Sequence, residues 1–163
     1  MPSSARKAWG CTMARSRETK RAFEPESKKA VIIQDPTKYY RERPSWKFSK
    51  RDRERWRLPT WDREDEWDRL LEHLDGWETQ TWQQILVDAK KQNHSIEVNE
   101  LNKAARDRLQ ELHIEEESVI SLRLSGTQRI YGIMDEDAFC IIWFDDNHGD
   151  NDTCVCRSHK KHT

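Results

Sequence analysis

Four residues of this chain have types and spacing that could do chemistry together: Arg123, Arg129, Tyr131 and His148. They fall in one stretch with strand character, SVISLRLSGTQRIYGIMDEDAFCIIWFDDNH, running from Ser118 to His148. Arg123 and Arg129 stand on either side of Ser125-Gly126-Thr127, so a chain reversal at the glycine would bring their guanidinium groups together. Such groups grip phosphate bidentately and keep their charge. Tyr131 lies two residues beyond Arg129 and shares its strand face. His148 sits just past the next strand, and an imidazole near its ordinary pKa of ~6.5 can give or take a proton at neutral pH. The plain alternative is two arginines on the solvated face of a half-buried sheet.

The elements that must position these residues can be read from periodicity. Ile120, Leu122 and Leu124 alternate with Ser121 and Arg123, which gives a first strand. Residues 128–134 form a second, Asp135-Glu136-Asp137 a hairpin turn, and residues 138–144 a third that is apolar on both faces and so central or covered. Three helices are expected before them. Thr60 caps the first, with Trp67, Leu70, Leu71, Leu74 and Trp77 on one face and Gly76 as its stop. The second opens at Thr81, where Thr81 and Gln84 fit a capping box. The third starts near Asn99 and runs to about His113. Earlier in the chain, Ala30 to Ile33 suggests a short strand. The plan is α+β: helices followed by a small antiparallel sheet, extended at the N-terminus by an arm.

Charged residues make up 36% of the 163 and hydrophobic ones 34%, too few for a core spanning the whole chain. Four parts are expected: a flexible basic tail over 1–28, a basic aromatic arm over 29–59, an α+β domain over 60–150 and a polar tail over 151–163. No apolar run approaches the ~20 residues of a membrane span, and the N-terminus lacks the apolar core of a secretory signal. We therefore expect a soluble cytoplasmic protein without membrane partners. Its four cysteines would then be free thiols.

The net charge of −1 conceals an asymmetry. Residues 1–60 hold 17 Lys and Arg against 7 Asp and Glu, and the remainder is acidic. The basic half could bind nucleic acid, or fold back on its own acidic half in a pairing that salt would weaken. Within the arm, Arg43, Trp46, Lys47, Arg51 and Arg55 interleave cations with rings. That pattern suits single-stranded nucleic acid, with Lys160 and Lys161 of the tail as further phosphate contacts. It equally suits tryptophans docking on their own domain.

Cys154, Cys156, His159 and His162 have zinc-binding types at a spacing poor for a finger, and a polar tail explains them equally well. His94, next to Asn93 and Ser95 in the link between two helices, reads as a structural loop residue, with a catalytic role as the alternative. His73 and His113 read as surface residues on helices. Asp145 and Asp146 read as a solvated strand end, or as an acid–base or metal pair with His148.

The segments LRLSGTQRIYGI and FCIIWFDDNH resemble the C-terminal sheet of the RelE/YoeB/ParE-type toxins of bacterial toxin–antitoxin systems. Arg123, Gly126 and Arg129 match the Arg–Gly–Arg pattern of that sheet, Tyr131 its following aromatic, and His148 the C-terminal histidine of its ribonuclease members. The first sixty residues have no counterpart there. The resemblance implies a toxin-type, metal-independent endoribonuclease without cofactor, acting on RNA, in some members at the ribosome, and held by an antitoxin protein. It implies arginines that stabilise charge developing on phosphate and His148 as the acid for the leaving 5′-oxygen. For the base, Glu115 to Glu117 or Tyr131 stay open. The competing reading is a non-catalytic interaction protein that holds protein or nucleic acid with its arm.

Overall fold

The computed structural model describes residues 38–150 and 153–156. The chain divides into two units after Ile33, and the described strands and helices lie in the second, Gln34–Thr163. The expected tail over 1–28, the strand near Ala30, Cys11, His159, Lys160, Lys161 and His162 lie outside the described residues.

The architecture is α+β. Five strands form one sheet in the order β1-β5-β4-β3-β2. They are β1 (Trp46–Lys47), β2 (His94–Glu97), β3 (Ser118–Arg123), β4 (Arg129–Asp135) and β5 (Ala138–Asp145). Two helices accompany them, α1 (Glu64–Glu78) and α2 (Lys103–Glu111). The expected order of helices first and an antiparallel sheet afterwards needs correction. β2 lies between the helices and pairs antiparallel with β3, while β1 pairs parallel with β5 and makes the sheet mixed.

Each strand of the β3–β4–β5 meander follows its alternation. Ile120, Leu122, Ile130, Phe139 and Ile141 face one side, under Leu70, Leu74 and Trp77 of α1 and under Trp82 and Ile85. Val119, Tyr131, Ile133 and Trp143 face the other, under Leu101, Ala105 and Leu109. Both faces are therefore dry, which is why β5 reads as a continuous apolar run and is buried at every position. A bulge between Tyr131 and Gly132 sends Ile142 and Trp143 to the same side. Gly132 leaves no room for a side chain: a Cβ there would clash with the Cys140 carbonyl oxygen and the Phe139 ring. The hairpin closes on the Asp135–Ala138 pair, with Glu136 at φ 62°.

The helices depart from expectation at their ends. α1 runs through Gly76 to Glu78, and Leu71 of its apolar stripe is exposed. The Thr60 hydroxyl meets the Asp62 carboxylate instead of capping a backbone amide, and the turn it opens, Trp61–Arg63, precedes α1. The Thr81–Gln84 capping box forms: Thr81 N–H donates to the Gln84 side chain at 2.9 Å, and Gln84 N–H to the Thr81 hydroxyl at 3.4 Å. Its helix is a single wide turn, Gln83–Asp88. α2 starts later than Asn99 because Asn102 supplies the cap, accepting from the Ala105 amide at 2.7 Å.

Residues 45–56 of the arm run along the outer edge of β5. Phe139 N–H donates to the Ser45 carbonyl, Asp52 N–H to the Ile142 carbonyl and Phe144 N–H to the Trp56 carbonyl, each at 2.8 Å. An open edge beside an apolar strand would invite other chains to pair, and the arm removes it. Trp46 packs on Trp82 and Phe139, and Trp56 on Trp143. Asp52 fixes the middle of the arm. Its buried carboxylate accepts from the Arg108 fork at 2.7 and 2.8 Å and from the Trp143 indole at 3.1 Å.

Among the described residues no helix is long and apolar enough to cross a membrane.

Candidate anion site at the open end of the sheet

The β3–β4 reversal places Arg123 opposite Arg129 in register, with Asp145 opposite Arg129 on the next strand. Arg123 Nε donates to the Ser125 carbonyl at 3.0 Å, and Arg129 donates to the same oxygen at 2.7 Å. Two guanidinium groups therefore converge on one atom. Arg129 gives a second bond to the Gln128 carbonyl at 2.9 Å. Among the described residues neither arginine has a carboxylate within ion-pair distance. Arg123 is exposed, whereas Arg129 is 8% exposed. The solvated-sheet alternative therefore describes Arg123 but not Arg129.

Burial and then the charge of Arg123 push the Arg129 pKa down, and Asp145 offsets this in part. A pair of cations left in that state is stabilised by any anion that can sit between them.

Tyr131 and His148 complete the cluster. The Tyr131 hydroxyl lies 3.2 Å from His148 Nδ1, and the His148 amide donates to the Thr127 carbonyl at 2.8 Å. Burial raises the Tyr131 pKa, so its hydroxyl keeps its proton. Burial, then Arg129, His94 and Arg123, lower that of His148. Cys156 Sγ lies 3.4 Å from His148 Nδ1 and 3.2 Å from Cys154 Sγ. The Cys156 thiol is pushed up to about 12, by burial first, which keeps it protonated. Asn102 holds this segment in place: its side chain donates to the Cys154 carbonyl and its amide to that of Val155.

Several expectations are corrected here. Asp145 is no solvated strand end: it is 1% exposed, and its two oxygens accept from the amides of Asn147 and Val155 at 3.0 Å each. Asp146 points elsewhere, pairing with Arg63 at 2.9 Å. Glu115 to Glu117 precede β3 at Ser118, the end of that strand away from Arg123, so they cannot serve as base at this cluster. His94 is not a loop residue. It opens β2 opposite Ser121, and its link to the site was hidden because its strand has only four residues. Asn93 was also missed. It is buried, accepts from the Arg123 amide at 2.8 Å and donates to the Ile85 carbonyl at 3.0 Å.

The arm residues expected to hold nucleic acid are mostly engaged. Trp46 packs in the core, Lys47 pairs with Asp135 at 3.0 Å, Arg51 donates to the Phe48 carbonyl and Arg55 covers the Trp56 ring. Arg43 is exposed. Among the described residues no group of three or more His, Cys, Asp or Glu side chains is arranged to hold a metal ion.

No protein-family model, curated protein or solved structure matches this chain.

Proposed function

We propose that this protein is a toxin-type, metal-independent endoribonuclease of RelE-like character, acting in the cytoplasm on RNA. One observation carries the reading: two adjacent guanidinium groups, one of them buried, have no carboxylate within ion-pair distance among the described residues and stand beside an imidazole. Keeping an uncompensated cation out of water is costly unless an anion arrives to pair with it. The arginines bind the scissile phosphate and stabilise the charge that grows on its non-bridging oxygens as the ribose 2′-hydroxyl attacks in line. Tyr131 orients His148 through Nδ1, which leaves Nε2 to hand a proton to the departing 5′-oxygen. The incoming phosphate offsets the positive charges that hold the His148 pKa down, so binding itself favours the protonated acid.

The test is RNA cleavage by Arg129→Ala, with near-ultraviolet circular dichroism to show that the variant is folded. The expected loss is at least ~100-fold, the usual scale for removing a preorganised charge stabiliser. Toxicity on expression should disappear with the same change. Undiminished cleavage by the folded variant refutes the proposal.

A second reading, a surface that holds a protein partner such as an antitoxin, rests on a separate feature. Phe48, Leu58, Pro59, Trp67 and Leu71 line a cavity of about 590 Å³ rimmed by Arg51, Arg53 and Arg57. That chemistry fits an acidic segment with apolar side chains. High-level expression without harm, together with tight binding of such a segment, would favour it over the nuclease.

A further inference from the structure

The geometry points to His94 as the proton acceptor for the attacking 2′-hydroxyl, so that the site works with two imidazoles on either side of one phosphate. This rests on the endoribonuclease reading and adds the residue which that reading lacks. His94 opens β2 and pairs with Ser121, and Ser121 pairs in turn with Tyr131, so the three side chains share one face across three strands. Ser121 is small, and its strand partner Tyr131 reaches His148 Nδ1 at 3.2 Å, which brings the two imidazoles to the same face of the sheet. Arg123 stands two residues beyond Ser121 and lies diagonal to His94, within reach of a long side chain. His94 is exposed and sits close enough to His148 for their charges to interact.

The other groups around the two imidazoles are poor acceptors. Tyr131 and Cys156 keep their protons because both are buried. Both oxygens of Asp145 already accept backbone amides. Arg123 and Arg129 are cations throughout. With His94 in this role the step balances. His94 takes the 2′-hydroxyl proton, the 2′-oxygen bonds to phosphorus, the bond from phosphorus to the 5′-oxygen breaks, and His148 protonates that oxygen. The products are a 2′,3′-cyclic phosphate and a 5′-hydroxyl. The substrate class is RNA, since a 2′-deoxy nucleotide at the cleaved position has no nucleophile.

The experiment compares wild type, His94→Gln, His148→Ala and Arg129→Ala on a single-stranded RNA. A matched RNA carries sulfur in place of the 5′-bridging oxygen at one linkage, a leaving group that needs no acid. His94→Gln should lose about 100-fold or more in kcat/KM, the scale of a general base. It should also lose the rising limb of the pH profile and stay slow on the sulfur substrate. His148→Ala should recover there to within about 10-fold of wild type. Cleavage by His94→Gln near the wild-type rate, or its rescue by sulfur, overturns the assignment while Arg129→Ala still tests the site. If wild type cleaves RNA neither alone nor in a translating extract, the endoribonuclease reading falls and the role of His94 falls with it.

Discussion

Arg129 holds its position by giving hydrogen bonds to two loop carbonyls, and neither acceptor neutralises its charge. Its neighbour Arg123 spends one donor on the same loop. The charge of Arg123 bears on Arg129, and an oxyanion between them would relieve that repulsion. A thermal-shift measurement checks this without assuming catalysis. Inorganic phosphate should stabilise the protein by RT ln(1 + [L]/Kd), about 2.7 kcal/mol at a hundredfold excess over Kd. That corresponds to a rise of several degrees in Tm. Arg123→Gln should abolish most of the rise and leave the unliganded Tm unchanged or slightly higher, because it removes the repulsion. An equal phosphate response in both proteins would mean that the arginines are not the receptor. The arginines, Tyr131 and His148 were legible in the sequence because spacing along long strands fixes which side chains meet. His94 was not, since a four-residue strand between helical segments has too few alternations to be told from a loop.

The same limit operates among the elements. β3, β4 and β5 carry six to eight residues each and were readable to within a residue or so at their ends. The two-residue β1 had no pattern of its own. Its existence depends on the apolar edge of β5, a partner nearly a hundred residues away. Asp52 shows how the structure holds such a segment. Burial alone would push its carboxyl up, but the Arg108 fork, the amides of Glu54 and Arg55 and the Trp143 indole outweigh that and hold it at about 2. Its folded pKa lies below the ordinary carboxylate value, so it contributes stability above pH ~4 that is lost as pH falls towards 2. Asp52→Asn should remove that contribution and leave Arg108 facing a neutral amide. A loss of roughly 3 kcal/mol at pH 7 is expected from breaking a buried pair. The variant's urea stability should also fall less steeply than wild type between pH 4 and 2. A variant that matches wild type at pH 7 would show that the arm is anchored elsewhere.

For the whole molecule, the charge asymmetry suggested a basic arm drawn to an acidic body, whereas the buried ion pair that anchors the arm has the opposite sense, with Asp52 of the arm on Arg108 of the body. Among the described residues Lys47–Asp135 is the one ion pair that joins a basic arm residue to an acid of the later chain, and both partners are close to half exposed. Exposed pairs of that kind contribute about 0–1 kcal/mol. Trp46 against Trp82 and Phe139, Trp56 against Trp143, and the backbone bonds along β5 supply what charge does not. Composition could not distinguish these cases, because a tryptophan that stacks on a base and one that fills a core look the same in sequence. The two accounts diverge in salt. If charge held the arm, 1 M sodium chloride would shrink the Debye length to about 3 Å and release it, shifting tryptophan emission to the red. Because packing, strand pairing and the buried Asp52–Arg108 pair, which salt screens little, hold it, emission and near-ultraviolet circular dichroism should stay unchanged from 0.05 to 1 M. RNA binding should weaken steeply over the same range as salt ions compete for Arg123 and Arg129. A red shift that tracks the loss of RNA binding would mean that the arm itself is the RNA ligand and leaves the sheet to bind.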